Sequence, residues 1–110
     1  MLAPDRLDAT FAALADPTRR AILARLASGE ASVTELAQPF DMTRAAVSKH
    51  LKVLEEAGLI AREKVGREHI LSFRGAPLRA VSAWVHEYER FWNESLDKFE
   101  GFFKEKRRRS

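Results

Sequence analysis

Between positions 43 and 52 the chain carries groups that bind through hydrogen bonds and charge rather than through covalent chemistry: Thr43, Arg44, Ala45, Ser48, Lys49 and Lys52. At 100° per residue, Val47, Leu51 and Leu54 fall within a narrow arc, and Ala45, Ser48, Lys49 and Lys52 fall opposite them. One side of such a helix grips a core and the other is free. The free side is small and polar at its start, with lysines after it. That suits insertion into the major groove of DNA, where short side chains avoid a clash and long ones reach bases or phosphates. On this reading Arg44, Ser48 and Lys49 face base edges and Lys52 meets phosphate. The helix end at Thr43 offers its free backbone amides to phosphate as well.

Other chemistries find little support. The chain has no cysteine, which excludes disulfides, thiolate metal ligands and a cysteine nucleophile. There is no Gly-x-Ser-x-Gly elbow, phosphate loop, His-Glu-x-x-His pair or dinucleotide fingerprint, and the acidic residues mostly alternate with basic ones, so no enzyme is expected. Of the three histidines, His50 flanks the apolar side of its helix and reads as a packing residue with a hydrogen-bond partner. His69 reads as an ordinary strand residue, and His86 as partly buried or interfacial.

A polar helix face alone is also what any solvated amphipathic helix shows, so the case depends on the elements around it. Leu7, Phe11 and Leu14 mark a first helix, and Asp16-Pro17 caps a second over residues 18–27, with Ile22, Leu23 and Leu26 on one side and Ser28-Gly29 as its stop. Val33 is a candidate single strand residue. Either Ser32, with Glu35 completing a capping box, or Thr34 starts a third helix, which Pro39 cuts short. Thr43 caps the fourth, residues 44–56, and Ala57-Gly58 ends it. Residues 59–65 and 69–74 alternate apolar and charged positions about Gly66-Arg67 and predict a two-stranded ribbon. Arg62, Lys64 and Arg67 would carry its contacts with phosphate, while Glu63 and Glu68 guard its edges. A short helix, a tight turn, a second helix with a polar tip and a basic ribbon form a combination much rarer than any of its parts.

From Pro77 the pattern is helical with no breaker until Gly101. Such a helix is about 40 Å long, against a radius of gyration of about 13 Å for a compact domain of 100 residues. Leu78, Val81, Val85, Tyr88, Trp92 and Phe99 recur along it three, four or seven apart. One small subunit cannot cover that stripe, so a second copy is expected there, with Leu7, Phe11 and Leu14 of the first helix as its complement. Trp84, Tyr88 and Trp92 suit this core, although they could also wall a pocket.

Four segments resemble the ArsR/SmtB family of winged-helix repressors: Phe11-Ala-Ala-Leu-Ala-Asp-Pro-Thr-Arg-Arg-Ala-Ile-Leu, Val33-Thr-Glu-Leu-Ala, Ala46-Val-Ser-Lys-His-Leu-Lys-Val-Leu-Glu-Glu-Ala-Gly-Leu-Ile and Val65-Gly-Arg-Glu. The resemblance covers nearly the whole chain. It implies a dimer joined through first and last helices that binds operator DNA and releases it on a signal. Family members that sense metal do so through cysteines in the first helix of the motif, where this chain has Thr34-Glu-Leu-Ala-Gln. They also use an Asp-x-His pair followed, ten residues later, by His-x-x-Glu or His. Here His86 and Glu89 match the second half, but Phe73 and Gly75 stand in the first, so no metal or other cofactor is expected. Pro39-Phe40 departs from the family, whose members usually continue that helix for another residue or two.

Composition agrees with this outline. At 110 residues, 45% hydrophobic and 32% charged, the chain fits one ordinary globular domain whose core is thin unless a second chain thickens it. The net charge of +3 lies in the C-terminal run, where Lys104, Lys106, Arg107, Arg108 and Arg109 against Glu105 carry +4 and leave the rest at −1; global charge therefore decides nothing. The expected organisation is a mainly α winged helix-turn-helix domain over residues 1–103, with about five helices and a two-stranded wing, then a basic tail over residues 104–110, either disordered or a phosphate arm. No apolar run approaches a membrane span and the start lacks the layout of a secretory signal, so a cytoplasmic location is expected. The expected function is sequence-specific DNA binding by a homodimeric regulator, a repressor at an inverted-repeat operator. The rival is a winged-helix module that binds another protein and no DNA.

Overall fold

The computed structural model describes residues 4–109, with side chains for residues 6–106. The chain start and the side chains of the terminal arginines, on which two of the expectations above fall, lie outside the described residues. Among the described residues eight elements follow one another: α1 (Pro4–Leu14), α2 (Pro17–Ala27), β1 (Ala31–Ser32), α3 (Val33–Ala37), α4 (Arg44–Glu56), β2 (Ile60–Val65), β3 (Glu68–Phe73) and α5 (Ala76–Arg109).

Each junction has a local cause. Asp16 caps α2 by accepting the Arg19 N–H at 3.0 Å, with Pro17 at the first helical position, where a missing N–H costs nothing. Ser32 and Glu35 form the capping box, each side chain accepting the other's backbone N–H at 3.1 and 3.2 Å. Ser32 rather than Thr34 therefore starts α3. The strand residues are Ala31 and Ser32, and Val33 already belongs to the helix; its side chain goes to the core, which is why it reads as strand-like. At the end of α4, Gly58 adopts φ +75°, its N–H reaches Glu55 O at 2.9 Å and the Leu59 N–H reaches Leu54 O at 3.0 Å. This is the paired bonding that glycine permits at a helix end, and it turns Leu59 into the core as the start of the wing.

The sheet has three antiparallel strands in the order β1-β3-β2, so the expected two-stranded ribbon gains a short third strand at its base. Ala31 pairs with Leu71, Arg62 with Leu71 and Lys64 with His69. The core lies where α2, α3 and α4 close over this base; Ile22, Leu26, Leu36, Leu51, Leu54 and Leu71 are among its fully buried members. Burying each such side chain stabilises the fold by about 2 kcal/mol.

The last helix departs most from a compact shape. It has 34 residues, about 51 Å at 1.5 Å per residue, and the molecule measures 72 × 34 × 21 Å with a radius of gyration of 19.9 Å. Gly101 does not end it, and residues 104–109, expected as an unstructured tail or arm, continue the helix. A single glycine costs a helix interior only about 1 kcal/mol, less than the flanking good helix formers supply together. Among the described residues no helix is long and apolar enough to cross a membrane.

Candidate nucleic-acid interface

The α4 helix is held in one orientation. Val47, Leu51 and Leu54 are fully buried, Thr43 Oγ1 accepts the Ala46 N–H at 3.1 Å, and Ala45, Ser48, Lys49 and Lys52 stand exposed on the other side. Arg44 is exposed too, but its guanidinium leans back towards α3 and donates to Thr34 Oγ1 at 3.4 Å. A long bond of this kind is easily exchanged for a base edge or a phosphate.

The wing brings up a second set of cations. Gly66 at φ +64°, followed by Arg67 at a negative φ, fits the two-residue turn with glycine first that suits hairpin twist. Arg67 sits at the tip. Strand alternation and the register put Arg62, Lys64 and His69 on the face that also carries Ile60 and Leu71, with Glu63 and Glu68 on the reverse. The wing therefore has a basic face and an acidic one. Arg62 is not free on that basic face: its Nε and a terminal nitrogen meet Glu55 Oε1 at 2.7 and 2.6 Å. This pair ties the base of the wing to the end of α4. Among the described residues Lys49, Lys52, Lys64 and Arg67 form no ion pair.

Behind α4 lies a polar cluster that the sequence reading resolved only in part. His50 is half-buried, with Nδ1 3.4 Å from an Arg19 guanidinium nitrogen and 3.8 Å from Asp16 Oδ2. The same guanidinium donates to Ala13 O at 2.7 Å and to Ala12 O at 2.9 Å, closing the end of α1. Three helices thus meet at Asp16, Arg19 and His50. The partner expected for His50 is there; the part played by Arg19 has no signal in helical periodicity. The Arg19 N–H holds the Asp16 carboxyl below its ordinary 3.8, against a smaller opposing effect of burial and with help from the charges of His50 and Arg19 and the Thr18 N–H.

Along α5, Leu78 packs against the core and so does Leu14 of α1, both partly buried. Leu7 and Val81 are half-buried, and Phe11, Val85, Tyr88, Trp92 and Phe99 are exposed. The Phe11 ring meets Trp84 edge-on at 5.3 Å, and Trp84 lies 4.7 Å from Tyr88. His86 is an exposed side chain 3.5 Å from Glu89, not a partly buried one in the single subunit. Phe73 and Gly75 supply no ligand to join them, and no three His, Cys, Asp or Glu converge among the described residues.

A profile described as a helix-turn-helix domain matches residues 14–63, the span that contains α2 to α4. The HTH-type transcriptional regulator Rv2034 of Mycobacterium tuberculosis is 41% identical over 93 residues, covering 84% of this chain and 81% of the relative. A solved structure described as an ArsR family transcriptional regulator superposes with a TM-score of 0.78 at 44% identity, covering 84% of this chain and 95% of its own. The chain belongs to the ArsR family of winged helix-turn-helix regulators. A further neighbour, Mb0332 from Mycobacterium bovis, is described as a homodimeric winged helix-turn-helix DNA-binding domain and a possible ArsR-family regulator; it has a TM-score of 0.64 at 27% identity and covers 82% of this chain and 83% of its own. In ArsR-family terms α3 and α4 are the helix pair, β2 and β3 the wing, and α1 and α5 the flanking helices.

Proposed function

We propose that this ArsR-family chain is a DNA-binding transcriptional regulator that works as a homodimer and represses by occupying an inverted-repeat operator. The observation that carries the reading is the division of α4, with Val47, Leu51 and Leu54 locked in the core and Ala45, Ser48, Lys49 and Lys52 presented to solvent beside a basic wing face. Arg44, Ser48 and Lys49 read base edges, and Thr43, through the free amides of its helix end, and Lys52 engage phosphate. Lys64 and Arg67 reach the backbone from the wing. Arg62 acts through Glu55 as a brace for the wing rather than as a contact. The dimer forms through Leu7, Phe11, Val81, Val85, Tyr88, Trp92 and Phe99, with Leu14 and Leu78 supporting them from the subunit's own core. A two-fold axis then sets the recognition helices about 34–36 Å apart, one turn of B-DNA, and makes the operator an inverted repeat.

Titration of bulk duplex DNA against the full chain by fluorescence anisotropy, at low and rising salt, tests this reading. A DNA-binder shows weak binding whose affinity falls steeply as salt rises, because each counterion released on binding then gains less free energy. The exposed aromatics of α5 favour the rival reading of a protein-interaction module, and absence of salt-dependent binding would decide for it.

A further inference from the structure

We propose that the groove where the end of α4 meets α1 and the start of α5 is an effector site for a small zwitterion, an α-amino acid. The DNA-binding reading above supplies what the ligand controls, and the site itself stands without it.

Three elements enclose this groove of about 380 Å³, within the range of small-molecule sites. The shallow hollows beside Phe91 and Phe99, by contrast, are lined by α5 alone. Here α1 supplies Arg6, Ala9 and Thr10, the end of α4 supplies Glu56 and Ala57, and α5 supplies Pro77. The walls carry opposite charges that do not meet. Arg6 and Glu56 are both exposed, and among the described residues neither enters an ion pair. The negative end of the α4 dipole reinforces Glu56. Ala9, Ala57 and Pro77 add small apolar surfaces. Thr10 is 1% exposed and donates its hydroxyl hydrogen to Arg6 O at 3.0 Å, which steadies the turn of α1 that carries the guanidinium.

That distribution decides the class of ligand. A molecule with only a carboxylate is drawn to Arg6 and repelled by Glu56, and one with only an ammonium meets the reverse. An α-amino acid sets its carboxylate on Arg6, its ammonium on Glu56 and its aliphatic part against the alanines and the proline. Both polar contacts are charge-assisted, and one molecule makes both for a single loss of translational freedom. The place of the groove also gives the ligand a lever. Gly58, which borders it at φ +75°, hands the chain from α4 to the wing, while α1 and α5 flank the helix pair. A molecule held across all three ties the recognition helix to those flanking helices and changes the angle at which α4 is presented to DNA. It shifts DNA binding by as much as its own affinity differs between the two arrangements, and DNA shifts its affinity by the same factor.

Thermal unfolding of the full chain with each of the common L-amino acids in turn tests the site, because a molecule that binds the native state raises the midpoint; calorimetric titration then gives the affinity. At least one amino acid should bind saturably. Its analogues lacking the ammonium or the carboxylate should bind about tenfold more weakly, the loss of one charged hydrogen bond. Arg6→Gln and Glu56→Gln, both at exposed positions, should each cause a similar loss and should unfold like the parent when no ligand is present. Anisotropy of labelled duplex DNA should then show a changed affinity at saturating ligand. Absence of binding by every amino acid, or binding that neither variant weakens, would overturn the site. Binding that leaves DNA affinity unchanged would overturn the effector role. Failure to bind DNA with or without ligand would overturn the DNA reading and the effector role together, while the titration still decides the site.

Discussion

Two amphipathic helices of one chain meet opposite fates. In α4 the stripe of Val47, Leu51 and Leu54 is fully buried by α2, α3 and the sheet, whereas in α5 a longer and more aromatic stripe is exposed from Trp84 onwards. Both are plain in the sequence as periodicity. Periodicity states that a face must be covered, and only chain length and neighbouring elements state by what. Thirteen residues of α4 fit inside a small domain; the 34 of α5 do not.

The contrast breaks most visibly at the core. Leu51→Ala should cost about 2–5 kcal/mol in denaturant unfolding, the range for a leucine removed from a packed interior. Phe99→Ala should leave the dilute chain within about 0.5 kcal/mol of the parent and act on association instead, so its effect grows with protein concentration. Equal destabilisation of the dilute chain by both would mean that α5 is covered from within the subunit. Ending the chain before Trp84 pushes the same division further: dimerisation and specific binding should disappear together, because one half-site has too few contacts to compete with bulk DNA. A truncated chain that sediments as a folded monomer and protects an operator at the original affinity would contradict the assembly.

What was legible divides along the same line. The bounds of α4, its buried and free sides and the hairpin turn at Gly66-Arg67 could be read because each depends on neighbours in sequence: a cap, a stop, an alternation. Contacts between segments could not. Arg62 reads as a free cation on a strand until Glu55, seven residues earlier, is seen beside it. Arg19 reads as a surface residue of α2 until its guanidinium closes the end of α1. Leu14 and Leu78 sit on the interface stripe by spacing and turn partly inward by packing. The resemblance to the ArsR family anticipated the architecture but not these pairings, which belong to this chain's own side chains.

On the free side of α4, Lys49→Ala or Arg44→Ala should cost about 1–3 kcal/mol of specific binding with little loss of fold, measured by gel shift and thermal unfolding. Unchanged affinity in both would misplace the recognition helix. A smaller effect separates brace from contact on the wing. If Arg62 acts through Glu55, then Glu55→Ala should weaken binding as Arg62→Ala does, within the roughly 0–1 kcal/mol of an exposed ion pair. If Arg62 instead met phosphate directly, removal of a nearby carboxylate would strengthen binding.

The smallest effect expected concerns how α4 is seated against the start of α2. The Asp16 carboxyl, which accepts the Arg19 N–H and lies 3.8 Å from His50, is held below its ordinary value of 3.8, first by that N–H. A folded-state value below the unfolded one means that the native chain holds its proton less tightly. The contribution is therefore complete well above pH 3.8 and is lost as pH falls through the lowered value, once the folded carboxyl is protonated too. Asp16→Asn keeps a side-chain oxygen to cap α2 but cannot titrate. Near neutral pH the variant should fold, and in the acid window its unfolding midpoint should fall less steeply with pH than that of the parent. Parallel acid profiles for the two chains would show that the seat of α4 owes nothing to this charge and that its buried stripe holds it alone.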